Sequence, residues 1–556
     1  MSGNRKQRET GPSPAPLAAL VTAAPFLAGL YYEWGAALAA LYLLALLLCW
    51  QRRYGLRLGG SPALLFAAAP ALVLLLSPLW AVDRGMAPLG VLKVLPLPLF
   101  TLAREQLPTA RREELLQPLP YGGAVMVLLS SVLCALPGLR PLLWVDGRLA
   151  GLFQYPNTFA LYLLLGAAWL LLGEKLGKRE GAVLLVLVLG IALSGSRTVL
   201  LLLLALLLFC LVWDRRRARQ RLALALGGGL VGLALGYVLL TGSRAGLGRL
   251  LSLSLRSSSF LGRLLYARDA LPQILTHPLG LGYWGYAWRQ GSFQTGVYSV
   301  LHVHNDFLQL LLDAGWLPGA LLLWALIRGL RRGNLRRRVL LVLFCLHCLL
   351  DFDCQYTAMV FLLLTLMDRE EPGGKPFSPP AALGAAWALG AFAVYFGLTA
   401  LLGSLGSPAA RRLYPAYTQS LLTALEESGD GAEAETLADR ILALNDSARP
   451  AWAEKARAAL RRGDVTEAVA CQERLIALKP YERQSYLDYV DLLQAAWRIC
   501  QGRGDPAGAA LCREKLSAVP ESMAAAEART SRLGRLIQDQ PELTLPPGYA
   551  GQRLEG

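Results

Sequence analysis

Long apolar runs recur along the first 402 residues and are separated by short segments rich in arginine. About 20 apolar residues are enough for one helix to cross the hydrocarbon core of a membrane, and several runs here need flanking residues to reach that length. This pattern predicts an all-α, polytopic membrane helical bundle with about 12–13 transmembrane helices. The runs fall near residues 17–32, 34–50, 61–80, 87–102, 121–136, 157–172, 182–196, 198–212, 222–240, 307–327, 339–350, 356–367 and 383–402.

The net charge of +16 would suit a nucleic-acid-binding protein, but the placement of the arginines argues against that class. They lie in short loops between apolar runs, where basic residues mark the cytoplasmic side of a membrane. Residues 1–16 are therefore expected to form a cytoplasmic tail, with the basic loops near 52–57, 104–112, 175–179, 214–221 and 328–338 on the same side. The alternate loops, 83–84, 140–157, 195–197 and 241–305, are then extracytoplasmic.

The topology after residue 338 depends on the polar interruption DFDCQ at 351–355. If it separates two short helices, the run at 383–402 ends outside and carries the rest of the chain there. If residues 339–367 form one broken helix, everything after them is inverted. We favour the first topology, because it keeps two carboxylates at the outer surface, where solvation lowers their cost.

A soluble composition rich in Ala, Glu and Arg begins at residue 403. The segment ADRILAL at 438–444 aligns with QERLIAL at 472–478, a spacing of 34 residues. A helix–turn–helix pattern of that period is typical of tetratricopeptide arrays. The sequence thus predicts a tetratricopeptide-like helical repeat domain at 403–538 that would offer a surface for protein partners, and a flexible tail at 539–556.

The segment HVHND at 302–306 is the best candidate for a reactive centre. It joins the long outer loop to an apolar run at 307–327, and a histidine there can take a proton near neutral pH. Packing at the membrane interface is one alternative. A zinc site is another, with His277 or Asp306 as third ligand, but no HExxH-type spacing accompanies it. We expect no metal and no cofactor.

Other outer features admit two interpretations each. Arg197 in GSRT suits a phosphate or a snorkelling anchor. Arg148 and Asn157 flank a turn at Pro156, where Asn157 is either a helix cap or a ligand-binding residue. Residues 260–275 form an expected amphipathic helix that either lies on the interface or presents Arg263 to a pyrophosphate. His347 and Asp351 are four apart and are expected to pair on one helix face.

Taken in order, five motifs resemble the O-antigen ligase and polymerase superfamily, over roughly residues 17–402. They are RLAGLFQYPNTFALYL, SGSRT, LPQILTHPLGLGYWGY, HNDFLQLLLDAGWLPGALL and HCLLDFD. The resemblance implies a GT-C-like membrane glycosyltransferase, generally metal-independent, at the outer face of the cytoplasmic membrane. Its donor would be a glycan on undecaprenyl pyrophosphate and its acceptor a hydroxyl of a glycan, a lipid or a protein.

The resemblance also implies residue roles. His304 would stand at the reacting centre. Arg197 and an arginine of the long loop would hold the donor pyrophosphate, with Arg263 the better match and Arg244 the second. We add Arg148, Asn157 and Asn305 as substrate-binding candidates.

Ligase, polymerase and protein O-oligosaccharyltransferase activities stay open within this interpretation. Two other classes compete with it. A transporter or flippase of lipid-linked glycans would use the same arginines without a histidine base. A membrane scaffold would use the repeat domain to recruit partners, but it leaves HVHND unexplained.

Overall fold

The computed structural model describes residues 11–174, 176–213, 221–222, 224, 226–229, 231–232, 258–367, 374–429, 431–537, 543–546 and 549. Arg244 and most of the run expected at 222–240 lie outside these residues. The described chain is predominantly helical, which confirms the all-α prediction. Its strands are two short antiparallel pairs. Arg57–Leu58 (β1) pairs with Lys375–Pro376 (β4), and Trp144–Val145 (β2) pairs with Arg148–Leu149 (β3).

The first half of the apolar region forms a bundle around one large buried core. The predicted run at 87–102 is divided before Pro96, because proline cannot supply the backbone N–H that a continuous helix needs. The helices are α1 (Ala15–Ala23), α2 (Glu33–Tyr54), α3 (Pro62–Leu76), α4 (Ala87–Val94), α5 (Pro96–Glu105), α6 (Leu119–Leu133), α7 (Arg140–Leu143), α8 (Pro156–Leu171), α9 (Lys178–Ser194) and α10 (Arg197–Trp213).

The second half carries the predicted amphipathic helix and six further described helices. These elements are α11 (Ser258–Thr276), α12 (Gly285–Phe293), α13 (Asp306–Ala314), α14 (Trp316–Arg332), α15 (Leu335–Cys348), α16 (Thr357–Leu366) and α17 (Pro379–Ser404). The interruption at 351–355 does separate two helices, α15 and α16.

The apolar run at 307–327 is two helices rather than the single one expected. The break is at Gly315, where φ is +77° and an added Cβ would lie 2.2 Å from the carbonyl oxygen of Pro278. Only glycine tolerates both the left-handed backbone and that close approach. The short α13 therefore packs against α11, while α14 packs against α3 in the bundle.

Five of the described helical segments are long and apolar enough to cross a membrane. They are Glu33–Tyr54, Pro62–Leu79, Ala87–Glu105, Thr109–Leu133 and Pro379–Ser404. Shorter apolar helices, among them Pro156–Leu171, Arg197–Trp213 and Thr357–Leu366, pack beside them. These helices agree with a multi-pass membrane protein.

The loops expected on one side of the membrane lie together in the structure. At the arginine-rich end, β1 pairs with β4, and the buried Arg104 and Arg337 both donate hydrogen bonds to the carbonyl oxygen of Met367. Arginines therefore satisfy carbonyls at the C-terminus of α16, where cations are also favoured by the helix dipole.

The C-terminal region is built of helices that pack on their sequence neighbours. They are α18 (Ala409–Leu413), α19 (Thr418–Glu427), α20 (Ala432–Leu444), α21 (Arg449–Arg462), α22 (Val465–Leu478), α23 (Arg483–Arg503), α24 (Pro506–Ala528) and α25 (Arg532–Arg535). Helices α20 and α22 contain the two repeated segments. Whether the array is of the tetratricopeptide type stays a prediction.

The helical C-terminal domain packs against the end of the bundle opposite the arginine-rich end. Asp83, in the turn between α3 and α4, accepts hydrogen bonds from Thr418 at 2.7 Å and Asn445 at 3.2 Å. Farther along, the backbone N–H of Ser531 donates to the carbonyl oxygen of Thr295 at 2.9 Å. The domain thus contacts two loops that the sequence places on the extracytoplasmic side.

Candidate active site

Asp351, in the turn after α15, is the centre of the polar network at this end of the bundle. Its carboxylate accepts hydrogen bonds at 2.7 Å from the Tyr155 hydroxyl and at 2.7 Å from the Asn157 side chain. The guanidinium of Arg263 lies 3.2 Å from the same carboxylate, and Nδ1 of His304 lies 3.4 Å from it. Four separate segments of the chain therefore meet at one buried anion.

The charge of Asp351 is retained despite its burial. Burial alone would raise the pKa of this carboxyl, but the contact with His304 and the positive charge of Arg263 outweigh it and hold the pKa below its usual value. The side chain is only 3% exposed, whereas that of Arg263 is 18% and that of His304 20% exposed. The two partners can therefore still reach a ligand.

His304 has an unusual backbone. Its φ is +52°, in the left-handed region that non-glycine residues rarely adopt. Such a conformation costs about 1–3 kcal/mol, persists only when its surroundings enforce it, and is common at functional sites. The ring packs edge-on against Phe352, with centroids 4.9 Å apart. Nε2 forms no hydrogen bond within the described part of the chain.

His302 occupies a more enclosed position than His304. Its Nε2 lies 3.3 Å from the Tyr31 hydroxyl, and its ring centroid is 5.0 Å from that of Phe352. Burial, with the nearby charges of His304 and Lys93, lowers the pKa of His302 to about 3. A neutral, buried imidazole suits packing and orientation better than proton transfer.

Arg148 and Asn157 form a direct pair, not merely the two sides of a turn. Arg148 donates to the Asn157 side-chain oxygen at 2.5 Å and to the carbonyl oxygen of Ser194 at 2.7 Å. The interpretation of Asn157 as a helix cap is wrong. The N-cap of α8 is Tyr155, and the Asn157 side chain is engaged by Asp351 instead.

Arg197 begins α10 directly beyond this pair. Arg148 bonds to Ser194 at the C-terminus of α9, and a Cβ added at Gly195 would lie 3.6 Å from Nε of Arg148. Arg197 follows in the same tight turn and is half-buried. The GSRT segment is thus brought beside Arg148, and its arginine lies at a helix N-terminus, which favours anions.

Asn305 has a structural position. Its side-chain oxygen caps α13 by accepting from the backbone N–H of Leu308 at 3.0 Å, and its amide donates to the carbonyl oxygen of Leu349 at 3.0 Å. A substrate-binding role for Asn305 stays a prediction, as does that of Arg244, which lies outside the described residues.

The expected pairing of His347 with Asp351 is wrong. Helix α15 ends at Cys348, so Asp351 does not continue its face. His347 instead lies 2.5 Å from Asp353, which also accepts a hydrogen bond from Thr158 at 2.7 Å. Both carboxylates of DFDCQ are buried, at 2% and 0% exposure, so pairing rather than solvation offsets their cost.

Residues 182–324 match the family model "Wzy_C: O-Antigen ligase". No curated protein matches the chain significantly. The match begins in α9, ends in α14, and contains Arg197, Arg263 and His304. It supports a membrane glycan ligase or polymerase role.

Several residues of the candidate site were missed from the sequence, most importantly Asp351 as the shared partner of Arg263 and His304. Tyr155 and Phe352 were missed as well. A signal was present, since two carboxylates between apolar runs need partners. The sequence does not indicate which residues supply them.

Proposed function

We propose that this chain is a membrane glycosyltransferase that moves or polymerises a glycan from an undecaprenyl-pyrophosphate donor onto an acceptor hydroxyl. The reaction would take place at the outer face of the cytoplasmic membrane. The observation that carries the proposal is the buried Asp351 carboxylate in contact with both Arg263 and His304. The O-antigen ligase match over residues 182–324 supports the same class of reaction.

His304 is the proposed general base. Asp351 faces Nδ1, which favours the tautomer with the proton on that nitrogen and leaves the lone pair of Nε2 for a substrate. Nε2 takes the proton of the acceptor hydroxyl while the hydroxyl oxygen forms a bond to the anomeric carbon of the donor glycan. The bond from that carbon to the pyrophosphate oxygen breaks, and the lipid pyrophosphate leaves with the electron pair.

Arg263 and Arg197 are the proposed donor-binding residues. The leaving pyrophosphate gains negative charge in the transition state, and preorganised cations stabilise that charge. A guanidinium can grip a phosphate with two hydrogen bonds, which a lysine cannot. Arg148 and Asn157 would fix the position of the GSRT turn relative to Asp351. Arg244, from the same outer loop as Arg263, is an additional candidate for donor binding.

An apolar cavity beside the site is suitable for part of the lipid tail. It lies between bundle helices and is lined by Phe66, Leu74, Leu97, Leu322 and Phe344. Asp306, two residues after His304, lines it as well. A polyprenyl chain is entirely apolar, so burial in such a cavity is favourable.

The C-terminal domain would contribute to acceptor choice. It contacts the loop segments around Asp83 and Thr295, on the side of the bundle where His304 lies. That position suits a surface for an acceptor glycan, a lipid acceptor or a protein partner near the reactive centre.

The test is an assay of purified protein with a polyprenyl-pyrophosphate glycan, scored for released polyprenyl pyrophosphate. A transferase releases it only when an acceptor is added, whereas a flippase moves the intact donor and a scaffold does neither. Glycan, lipid and protein acceptors tested in parallel would separate ligase, polymerase and protein O-oligosaccharyltransferase activities. Absence of acceptor-dependent release with all three would contradict the proposal.

A further inference from the structure

Three side chains with metal-binding atoms meet at the C-terminal end of the HVHND segment. Asp306 is the first residue of α13, Cys348 the last of α15, and Cys354 lies in the turn between α15 and α16. One carboxylate oxygen and the two Sγ atoms all lie within 4.8 Å of one another. Three separate segments therefore converge on one point, which we call the thiol–carboxylate cluster.

Asp306 has no ion-pair partner among the described residues. It is 6% exposed, Oδ1 accepts a hydrogen bond from the Cys354 backbone at 3.0 Å, and Oδ2 is buried with no hydrogen-bond partner among the described residues. The neighbouring carboxylates do have partners, Arg263 for Asp351 and His347 for Asp353. A buried carboxylate without a cation is costly.

We propose that the thiol–carboxylate cluster binds one Zn²⁺ ion. Zinc takes thiolate sulfur at about 2.3 Å and carboxylate oxygen at about 2.0 Å, so tetrahedral ligands lie roughly 4 Å apart or less. The observed spacing needs only a small contraction to reach that geometry. Two soft thiolates favour zinc over magnesium or calcium. The fourth position would be open to a water molecule.

The ion would brace the reactive centre without taking part in the reaction. Asp306 lies two residues after His304, and Cys348 and Cys354 flank Asp351 by three residues on either side. A metal bond between these segments would fix the position of His304 relative to Asp351. The inference rests on the ligand geometry and is independent of which reaction the site performs.

The experiment measures metal in the full-length protein, purified in detergent under a non-chelating phosphine reductant with the affinity tag removed. After incubation with Zn²⁺ and desalting, we expect near-stoichiometric zinc by elemental mass spectrometry in the wild type. Cys345→Ser removes a thiol of the same helix outside the cluster and should keep the metal. Cys348→Ser combined with Cys354→Ser should lose it, and Asp306→Asn should bind more weakly.

Cobalt substitution gives an independent readout on the wild-type protein, so it does not depend on whether the variants fold. Co²⁺ added to the wild type should produce a thiolate-to-cobalt charge-transfer band that Zn²⁺ abolishes. Wild-type protein that stays metal-free after this treatment, with Cys348 and Cys354 both freely alkylated, would overturn the proposal. So would a Cys348–Cys354 disulfide in protein isolated without reductant, which would make the pair a covalent link rather than a metal site.

Discussion

Asn157 donates a hydrogen bond of 2.7 Å to Asp351, although 194 positions separate the two residues. The same carboxylate contacts Arg263 and His304. Helix α8 therefore supports the anion that pairs with the proposed donor-binding arginine and orients the proposed base.

We expect Asp351→Asn to slow glycan transfer by about 10²-fold or more, since general base catalysis is worth about 10²–10⁴-fold. An amide neither fixes the His304 tautomer nor pairs with Arg263. The initial rate of polyprenyl pyrophosphate release measures the loss. Asp269→Asn is the control, because Asp269 is a buried carboxylate of α11 that bonds to Thr295 and Tyr298 outside this network. Equal losses in both variants would reduce Asp351 to a structural role.

Arg263→Ala and Arg197→Ala should each weaken donor binding and slow transfer by roughly 10-fold or more, as expected for losing a charge-assisted pair. The lysine variants should recover only part of the loss, because a point charge does not replace the bidentate fork. Donor titration and initial rates measure both effects. Arg268→Ala tests unspecific charge loss, since Arg268 is an exposed arginine of the same helix. Full activity of Arg197→Ala would make that residue a membrane anchor.

Docking of the C-terminal domain should depend on pH through Asp83. Burial raises the pKa of this carboxyl, and the hydrogen bonds from Thr418, Met86 and Asn445 offset that only in part. A group with a raised pKa in the folded state stabilises that state most below its unfolded pKa of about 3.9, and the stabilisation is lost as pH rises through the folded pKa. The melting temperature of the wild type should therefore rise relative to that of Asp83→Asn as pH falls from about 7 to about 4. If the melting temperature of the wild type instead falls relative to that of Asp83→Asn over this pH range, the hydrogen bonds outweigh burial in setting the pKa of Asp83.

The C-terminal domain should lie on the extracytoplasmic side of the cytoplasmic membrane. Ala510→Cys, at an exposed position of α24, in a cysteine-depleted background should react with a membrane-impermeant maleimide on intact protoplasts. Arg331→Cys, in the arginine-rich last turn of α14, should react only after lysis. The reverse pattern would invert the topology and place the candidate site in the cytoplasm.

The sequence predicts the elements of the site better than their contacts. The periodicity at 260–275 predicts α11, which spans Ser258–Thr276, and the interruption at 351–355 predicts the break between α15 and α16. These features depend on local pattern. The contacts around Asp351 depend on how α8, α11 and the HVHND segment pack, which no local pattern indicates.

Two of the wrong predictions concern the residue at which a helix ends. The spacing of His347 and Asp351 suggests a pair only if the helix continues, but α15 ends at Cys348. The apolar run at 307–327 predicts one helix only if Gly315 stays helical, and the approach of the Pro278 carbonyl makes it a break. In both cases a helix ends earlier than the local sequence pattern suggests.

The most direct test of the central claim is transfer by His304→Ala with donor binding measured on the same preparation. We expect donor affinity close to that of the wild type and a transfer rate at least about 10²-fold lower, because the variant loses only the base. His277→Ala, which changes a histidine directly after α11 in the same outer loop, should keep the wild-type rate. Near wild-type turnover in His304→Ala would contradict the account.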